Sequence, residues 1–177
     1  MKGRFTAMDW AHWKPKEKAT ILFVRTDGML LLIHKLQGMG AGLLNGPGGR
    51  IEPTDPSPAA GAIREAQEEL RITPTGVKEA GELWFEFTNG YSLRCHVFTA
   101  TGYEGVPTST PEAIPLWVDE RHVPYEKMWT DDRIWMPLML AGRPFLGRFL
   151  FDGNTMLGCE IDVAPLPGPP PERTPDA

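Results

Sequence analysis

Asp27-Gly28, Asn89-Gly90 and Asp152-Gly153-Asn154 each separate two runs rich in apolar, β-branched or aromatic residues. Asp-Gly and Asn-Gly accept positive φ cheaply and fit the primed turns that close antiparallel hairpins. The spacing therefore predicts three hairpins: Thr20–Val24 with Met29–His34, Leu83–Thr88 with Tyr91–Thr99, and Phe145–Phe151 with Met156–Val163. Leu116–Asp119 reads as a further short strand. Helical spacing is confined to Ala59–Leu70 and Asp131–Leu140, the second opening on Thr130 or Asp131 as a cap and kinked or tightened by Pro137. Hairpins interleaved with two principal helices predict an α/β fold, a sandwich built on a mixed sheet.

The 177 residues suit one domain. The boundaries read as an irregular segment at 1–18, with Trp10, Trp13 and Pro15 among lysines, a folded domain at 19–164, and a proline-rich tail at 165–177. Proline resists helix and removes backbone donors, so Pro165, Pro167, Pro169, Pro170, Pro171 and Pro175 predict an extended terminus. The formal charge of −5 argues against binding DNA or RNA directly, because such proteins gather Lys and Arg on one face. Met29–Ile33 is the longest wholly apolar stretch, far short of the ~20 residues that cross a bilayer, and no secretory signal opens the chain. Cys95 and Cys159 have neither metal-site nor disulfide spacing. A cytoplasmic monomer without a membrane partner is expected.

The chemistry concentrates after a glycine-rich segment. Gly38, Gly40, Gly42, Gly46, Gly48 and Gly49 crowd a stretch expected to be an irregular loop. In the helix that follows, Glu65, Glu68 and Glu69 are related by i,i+3 and i,i+4, so they share one face. Ala59, Ala62, Ile63, Ala66 and Leu70 form the apolar arc, and the acids are expected to point outward together. Arg64 lies one turn before Glu68 and suits neutralising or orienting it. Three like charges on one face repel unless a cation intervenes, and Mg²⁺ takes oxygen ligands together with substrate phosphates. A solvated acidic face is the bland alternative. The segment matches neither the P-loop nor the dinucleotide-binding pattern, and glycines let backbone approach phosphate or metal. The combination points to metal-assisted hydrolysis of a diphosphate.

Gly48-Gly49 through Ile72, with the spine Arg64-Glu65-Ala66-Gln67-Glu68-Glu69, resembles the Nudix box. Gly38–Gly42, Leu44-Asn45-Gly46, Phe85-Glu86-Phe87, Met128–Asp132 and Phe145–Phe151 extend the likeness to the branch of that family acting on oxidised purine nucleoside triphosphates such as 8-oxo-dGTP. The resemblance implies a Nudix α/β/α sandwich with a catalytic loop–helix–loop. It implies Mg²⁺, with Mn²⁺ as a substitute, held by the Gly48 carbonyl, Glu65, Glu68, Glu69 and Glu112. Glu65, Glu69 and Glu112 become the candidate catalytic residues, the general base being Glu112 or Glu65. Substrate contacts carry over to Thr20, Lys35, Asn45, Pro47, Gly48, Gly49, Arg50, Trp129, Thr130, Asp131 and Asp132. Lys35 and Arg50 would clamp phosphate. Trp129, Trp84, Phe85 and Phe87 are candidates to stack on a purine, or simply core. The products would be a nucleoside monophosphate and pyrophosphate, sanitising the nucleotide pool. Another nucleoside diphosphate derivative, ADP-ribose for example, is the alternative substrate, and a silent nucleotide-binding module the alternative role.

This chain departs from the family pattern at three places. Asp55 stands where the first box acid is usually Glu, with one extra residue before Arg64; Leu44 replaces an aromatic; and Arg71 occupies the position of a glycine. Arg takes a left-handed cap less cheaply, so a different helix exit is expected there. For base recognition, a carboxylate beside a protonated carboxyl or an amide matches a guanine-type edge, and adjacent acids raise one another's pKa. Asp131, Asp132 and Asn45 fit that role; the competing reading of Asp131-Asp132 is plain helix capping.

Overall fold

The structure is a computed structural model that describes residues 5–164; the expected proline-rich tail lies outside them. All three hairpins form. β1 (Glu17–Thr26) turns through Asp27 and Gly28, both at positive φ, into β2 (Met29–Lys35). The glycine-rich segment is only partly irregular, because it contains β3 (Leu44–Asn45) and β4 (Gly48–Arg50). Helix α1 (Pro58–Leu70) follows, then β5 (Ile72–Thr75), β6 (Lys78–Phe87), β7 (Ser92–Ala100), β8 (Gly102–Gly105) and β9 (Ala113–Asp119). A short 3-10 turn at Tyr125–Lys127 leads into α2 (Asp132–Leu140), and β10 (Phe145–Asp152) with β11 (Thr155–Val163) ends the described chain.

These strands make a mixed sheet in the order β11-β10-β6-β7-β1-β2-β3, with β4 added beside β1 and β9 beside β2. β1 runs parallel to β7 and β10 parallel to β6, while the other pairings are antiparallel. β5 and β8 form a separate two-stranded sheet. Alternation along β1 sends Ile21 and Phe23 to one face and Leu22 and Val24 to the other. Helix α1 covers the second face with Ala62, Ala66 and Leu70. Helix α2 contributes Trp135, Met136 and Met139 to the first, against Phe145, Phe149 and Phe151.

Both helix ends explain themselves locally. Ser57 caps α1 by accepting from the Ala60 N–H at 3.1 Å, with Pro58 in the first turn where its missing donor costs nothing. The exit is a correction: Arg71 adopts the left-handed cap itself, φ 62°, and donates its N–H to the Gln67 carbonyl at 3.1 Å. The cap geometry is kept without glycine. At α2, Asp131 occupies the N-cap position but makes no capping bond with its side chain, and Pro137 sits within the helix.

Before β1, the segment expected to be irregular packs against the sheet. Trp13 stacks on Trp84 with ring centroids 4.9 Å apart and donates its indole N–H to Glu86 at 2.9 Å. Trp10 joins the cluster, and Phe5 lies over Gly158 of β11.

Candidate active site

The acidic helix presents its three glutamates unequally, not outward together as the spacing suggested. Glu68 is exposed, Glu65 partly buried, and Glu69 only 2% exposed beside Ala66 and Leu70. The helix turn that carries Ala62 and Ala66 into the core carries Glu69 with them. Its carboxylate accepts the Gly48 N–H at 3.0 Å and lies 3.5 Å from the Lys35 ammonium. Burial dominates nonetheless and pushes the Glu69 pKa up to about 7. Burial also raises Glu65, against the opposing effect of Arg64.

Arg64 organises this face. It donates to both Asp55 oxygens at 3.0 and 2.9 Å, to Glu65 at 2.9 Å, to Glu68 at 3.1 Å and to the Arg50 carbonyl at 3.0 Å. Asp55 also accepts the Glu52 N–H at 2.8 Å and is held below the usual carboxylate range, chiefly by Arg64. The shorter acid with its extra loop residue thus reaches the same arginine. Two glycines keep the adjoining loop close: a Cβ on Gly49 would stand 2.5 Å from the Glu65 carboxyl, and one on Gly48 would stand 2.2 Å from the Thr20 carbonyl oxygen.

Next to this loop, on the α2 side of the sheet, opens a cavity of about 170 Å³. Of the expected substrate residues, Thr20, Lys35, Asn45, Gly48, Gly49, Trp129, Asp131 and Asp132 line it; Pro47, Arg50 and Thr130 do not. Arg50 is 73% exposed along its side chain and pairs with Glu17 at 3.0 Å. All four candidate acids, Glu65, Glu68, Glu69 and Glu112, lie outside the cavity wall. Glu112 is exposed on the loop before β9, close enough to Glu69 to act on it electrostatically.

Asp131 and Asp132 are each 3% exposed at the cavity wall. Asp131 accepts the Trp135 indole N–H at 2.9 Å, while Asp132 Oδ2 is buried with no partner, as is the Thr20 hydroxyl. Burial raises both acids, and the charge of Asp131 raises Asp132 further. Both shifts favour the protonated carboxyl, more strongly at Asp132, and a protonated carboxyl beside an ionised one would set a donor next to an acceptor. Asn45 turns its side-chain oxygen to the Gly46 N–H at 2.9 Å.

Much of the wall was not singled out from the sequence. Met39, Leu83, Leu93, Cys95, Trp135 and Phe151 join Phe85 and Phe87 there. The period-2 alternation of β6 and β7 is the signal that places Leu83, Phe85 and Phe87 on one face with Leu93 and Cys95. It also sends Trp84 to the opposite face, out of the cavity. Gly40, at φ +81°, lets its loop pass close to the Trp129 indole, where a Cβ would stand 2.8 Å from Nε1.

Glu65, Glu69 and Glu68 step from half-buried to buried to exposed, and their oxygens are not drawn into one tight cluster. Among the described residues the trio whose ligand atoms all lie within 4.8 Å is Glu79, Glu82 and His96, across the sheet from the cavity. There Glu82 is already paired with Arg94 at 2.6 Å, so that group is balanced internally. A spread set of hard oxygens, with Glu69 largely desolvated, instead suits an octahedral cation that keeps several waters.

The NUDIX domain profile matches residues 14–139. The chain belongs to the NUDIX domain family. Among similar proteins, the oxidized purine nucleoside triphosphate hydrolase of Danio rerio is 38% identical over 139 residues, 78% of this chain and 88% of that protein. The protein of the same name from Mus musculus is 34% identical over 144 residues, 80% and 92% of the two chains. The crystal structure of a MutT protein from Bacillus halodurans superposes with a TM-score of 0.73 at 24% identity, covering 82% of this chain and 97% of its own. That likeness confirms the NUDIX fold, a mixed sheet with two helices. Among the described residues no helix is long and apolar enough to cross a membrane.

Proposed function

We propose that this NUDIX chain hydrolyses oxidised purine nucleoside triphosphates, 8-oxo-dGTP foremost and 2-hydroxy-dATP alongside it, to the nucleoside monophosphate and pyrophosphate. The observation that carries the reading is the buried Asp131–Asp132 pair, unspent on capping and facing an aromatic-walled cavity beside the acidic helix. A protonated carboxyl donates to a base carbonyl while its neighbour accepts a ring N–H, and a proton shared between the two suits more than one oxidised purine. Phe85, Phe87 and Trp129 offer aromatic faces for the base, and the unpartnered Thr20 hydroxyl offers one hydrogen bond to the nucleotide. The similarity to the two oxidized purine nucleoside triphosphate hydrolases supports the same substrate class.

Glu65, Glu68, Glu69, Glu112 and the Gly48 carbonyl are the proposed holders of Mg²⁺, which Mn²⁺ would replace. When bound, Mg²⁺ supplies positive charge against the phosphate oxygens and the departing pyrophosphate. Lys35 adds a fixed cation at the cavity edge and holds Glu69 in place. Glu112 or Glu65 takes the proton of the attacking water. Arg64, tied to four acidic or carbonyl partners, fixes where Glu65 and Glu68 point. A cytoplasmic monomer acting on free nucleotide is part of the same proposal.

The test is pyrophosphate release from 8-oxo-dGTP, 2-hydroxy-dATP, O6-methyl-dGTP, dGTP and ADP-ribose, each with Mg²⁺ and with a chelator. Metal-dependent turnover should favour the oxidised purines over dGTP, and Asp131→Asn or Asp132→Asn should erase that preference. Preference for ADP-ribose, or full discrimination retained in both variants, would overturn the reading.

A further inference from the structure

The loop that carries Glu112 is fastened to the acidic helix by one side chain. The Thr110 hydroxyl donates to the Glu69 backbone carbonyl at 2.8 Å and accepts the Glu112 N–H at 3.3 Å. A hydroxyl has one donor and two acceptor sites, so both bonds coexist on the same oxygen. Thr110 therefore joins the backbone of Glu69 to the backbone of Glu112 through a single atom. The Glu69 carbonyl lies in the last turn of α1, where helix geometry leaves carbonyls without intrahelical partners.

Other bonds fix the loop around that point. The Thr108 N–H donates to the neighbouring end carbonyl, Leu70, at 3.0 Å. The Thr110 N–H donates to Ala113 at 2.9 Å, closing a tight turn over Pro111 and Glu112. On the far side, the Leu36 N–H donates to the Glu112 carbonyl at 2.9 Å, and Gln37 reaches the Pro111 carbonyl at 3.0 Å. Leu36 follows Lys35, whose ammonium lies by the Glu69 carboxylate. The Glu112 backbone is thus clamped between the segment bearing Lys35 and the helix end bearing Glu69. Among the described residues, only Thr110 bonds to both glutamates.

We infer that Thr110 is a positioning residue, setting the Glu112 carboxylate relative to Glu69 in the proposed hydrolysis. This rests on the assignment of Glu112 given above. Reacting groups misplaced by a fraction of an ångström lose rate without losing ground-state binding, so the effect belongs in kcat. Thr110→Val keeps the branched shape and removes the hydroxyl, whereas Thr110→Ser keeps the hydroxyl.

The experiment uses the full chain with Mg²⁺ and 8-oxo-dGTP. It compares Thr110→Val, Thr110→Ser, Glu112→Gln and the double variant Thr110→Val/Glu112→Gln. Amide hydrogen exchange of the peptide spanning 108–113 is followed in each, in the absence of substrate. Thr110→Val should lower kcat about tenfold with KM within about twofold and accelerate exchange at Glu112. Thr110→Ser should restore both, and Thr110→Val should add no further loss in the Glu112→Gln background. A Thr110→Val enzyme with normal kcat beside an impaired Glu112→Gln, or losses that simply add in the double variant, overturns the positioning role alone. Normal kcat in Glu112→Gln overturns the assignment of Glu112 and the positioning role with it, even where exchange accelerates.

Discussion

Gly48 and Gly49 are neighbours that lack a side chain for different reasons. At Gly48 the obstacle is backbone, the Thr20 carbonyl oxygen in the paired strand β1, which cannot step aside. At Gly49 it is the end of the Glu65 side chain, which can. Gly48→Ala should therefore cost about 2–3 kcal/mol of stability by forcing β4 off β1, measured by urea unfolding. Gly49→Ala should stay within about 1 kcal/mol of the parent yet displace Glu65 and lower kcat at least about tenfold. Equal stability losses in both variants would contradict this division. Arg71 carries a cost of another kind, a left-handed conformation in a residue with a Cβ. Arg71→Gly should stabilise the chain by about 0.5–1 kcal/mol, the relief of strain being offset in part by a more flexible unfolded state. An unchanged or lower urea midpoint would show that the arginine cap is unstrained.

On the scale of elements, α1 holds a carboxylate where its neighbours hold alanine and leucine, and that placement makes the fold sensitive to pH. The folded Glu69 pKa of about 7 lies above the ordinary 4.5. Folding then favours the protonated form. In metal-free protein the penalty is absent below about pH 4.5, grows as pH rises, and levels off above about 7 near 3 kcal/mol. Glu69→Gln keeps an acceptor for the Gly48 N–H and removes the charge. With chelator present, its stability relative to the parent should improve by about 2–3 kcal/mol between pH 5 and pH 8. A difference that does not change with pH would refute the buried-charge account. The inward position of Glu69 was not legible from helical spacing, because Glu65, Glu68 and Glu69 fall on one arc and only the packing of α1 on the sheet decides which of them is covered. The hairpins were legible, since Asp27-Gly28 and Asn89-Gly90 specify their turns within four residues. β4, β5 and β8 were not: each is short and pairs with a distant segment, so local pattern carries little of the signal. Asp131 and Asp132 were legible as a pair. Their freedom from capping was not, because it depends on α2 beginning at Asp132 with Asp131 already near helical angles.

Across the whole molecule the sheet separates two functions. One face carries the cavity, with Leu83, Phe85, Leu93 and Cys95 pointing into it. The opposite face of the same strands is covered in two parts, α1 over β1 and β7 and the N-terminal aromatics over β6, β10 and β11. The residues before β1 therefore act as a third covering layer, and we propose that they belong to the folded domain instead of leading up to it. Trp13 stacks on Trp84, which carries the Arg148 guanidinium on its ring at 5.4 Å, and Lys16 ties the same segment to Ser92 at 3.0 Å. Removing the Trp13 ring exposes Trp84 to water and frees the Glu86 acceptor. Trp13→Ala should lower stability by about 1–2 kcal/mol, less than for a fully buried tryptophan because both rings keep some exposure. The cavity face is braced separately, by Phe149 stacked on Phe85 at 5.4 Å and Phe151 near Phe87 at 5.7 Å, so kcat and KM should remain within about twofold. Urea unfolding followed by circular dichroism, beside steady-state kinetics, separates the two effects. A Trp13→Ala enzyme with an unchanged unfolding midpoint would place the segment outside the cooperative unit, and a large rise in KM would mean that the two faces of the sheet are coupled.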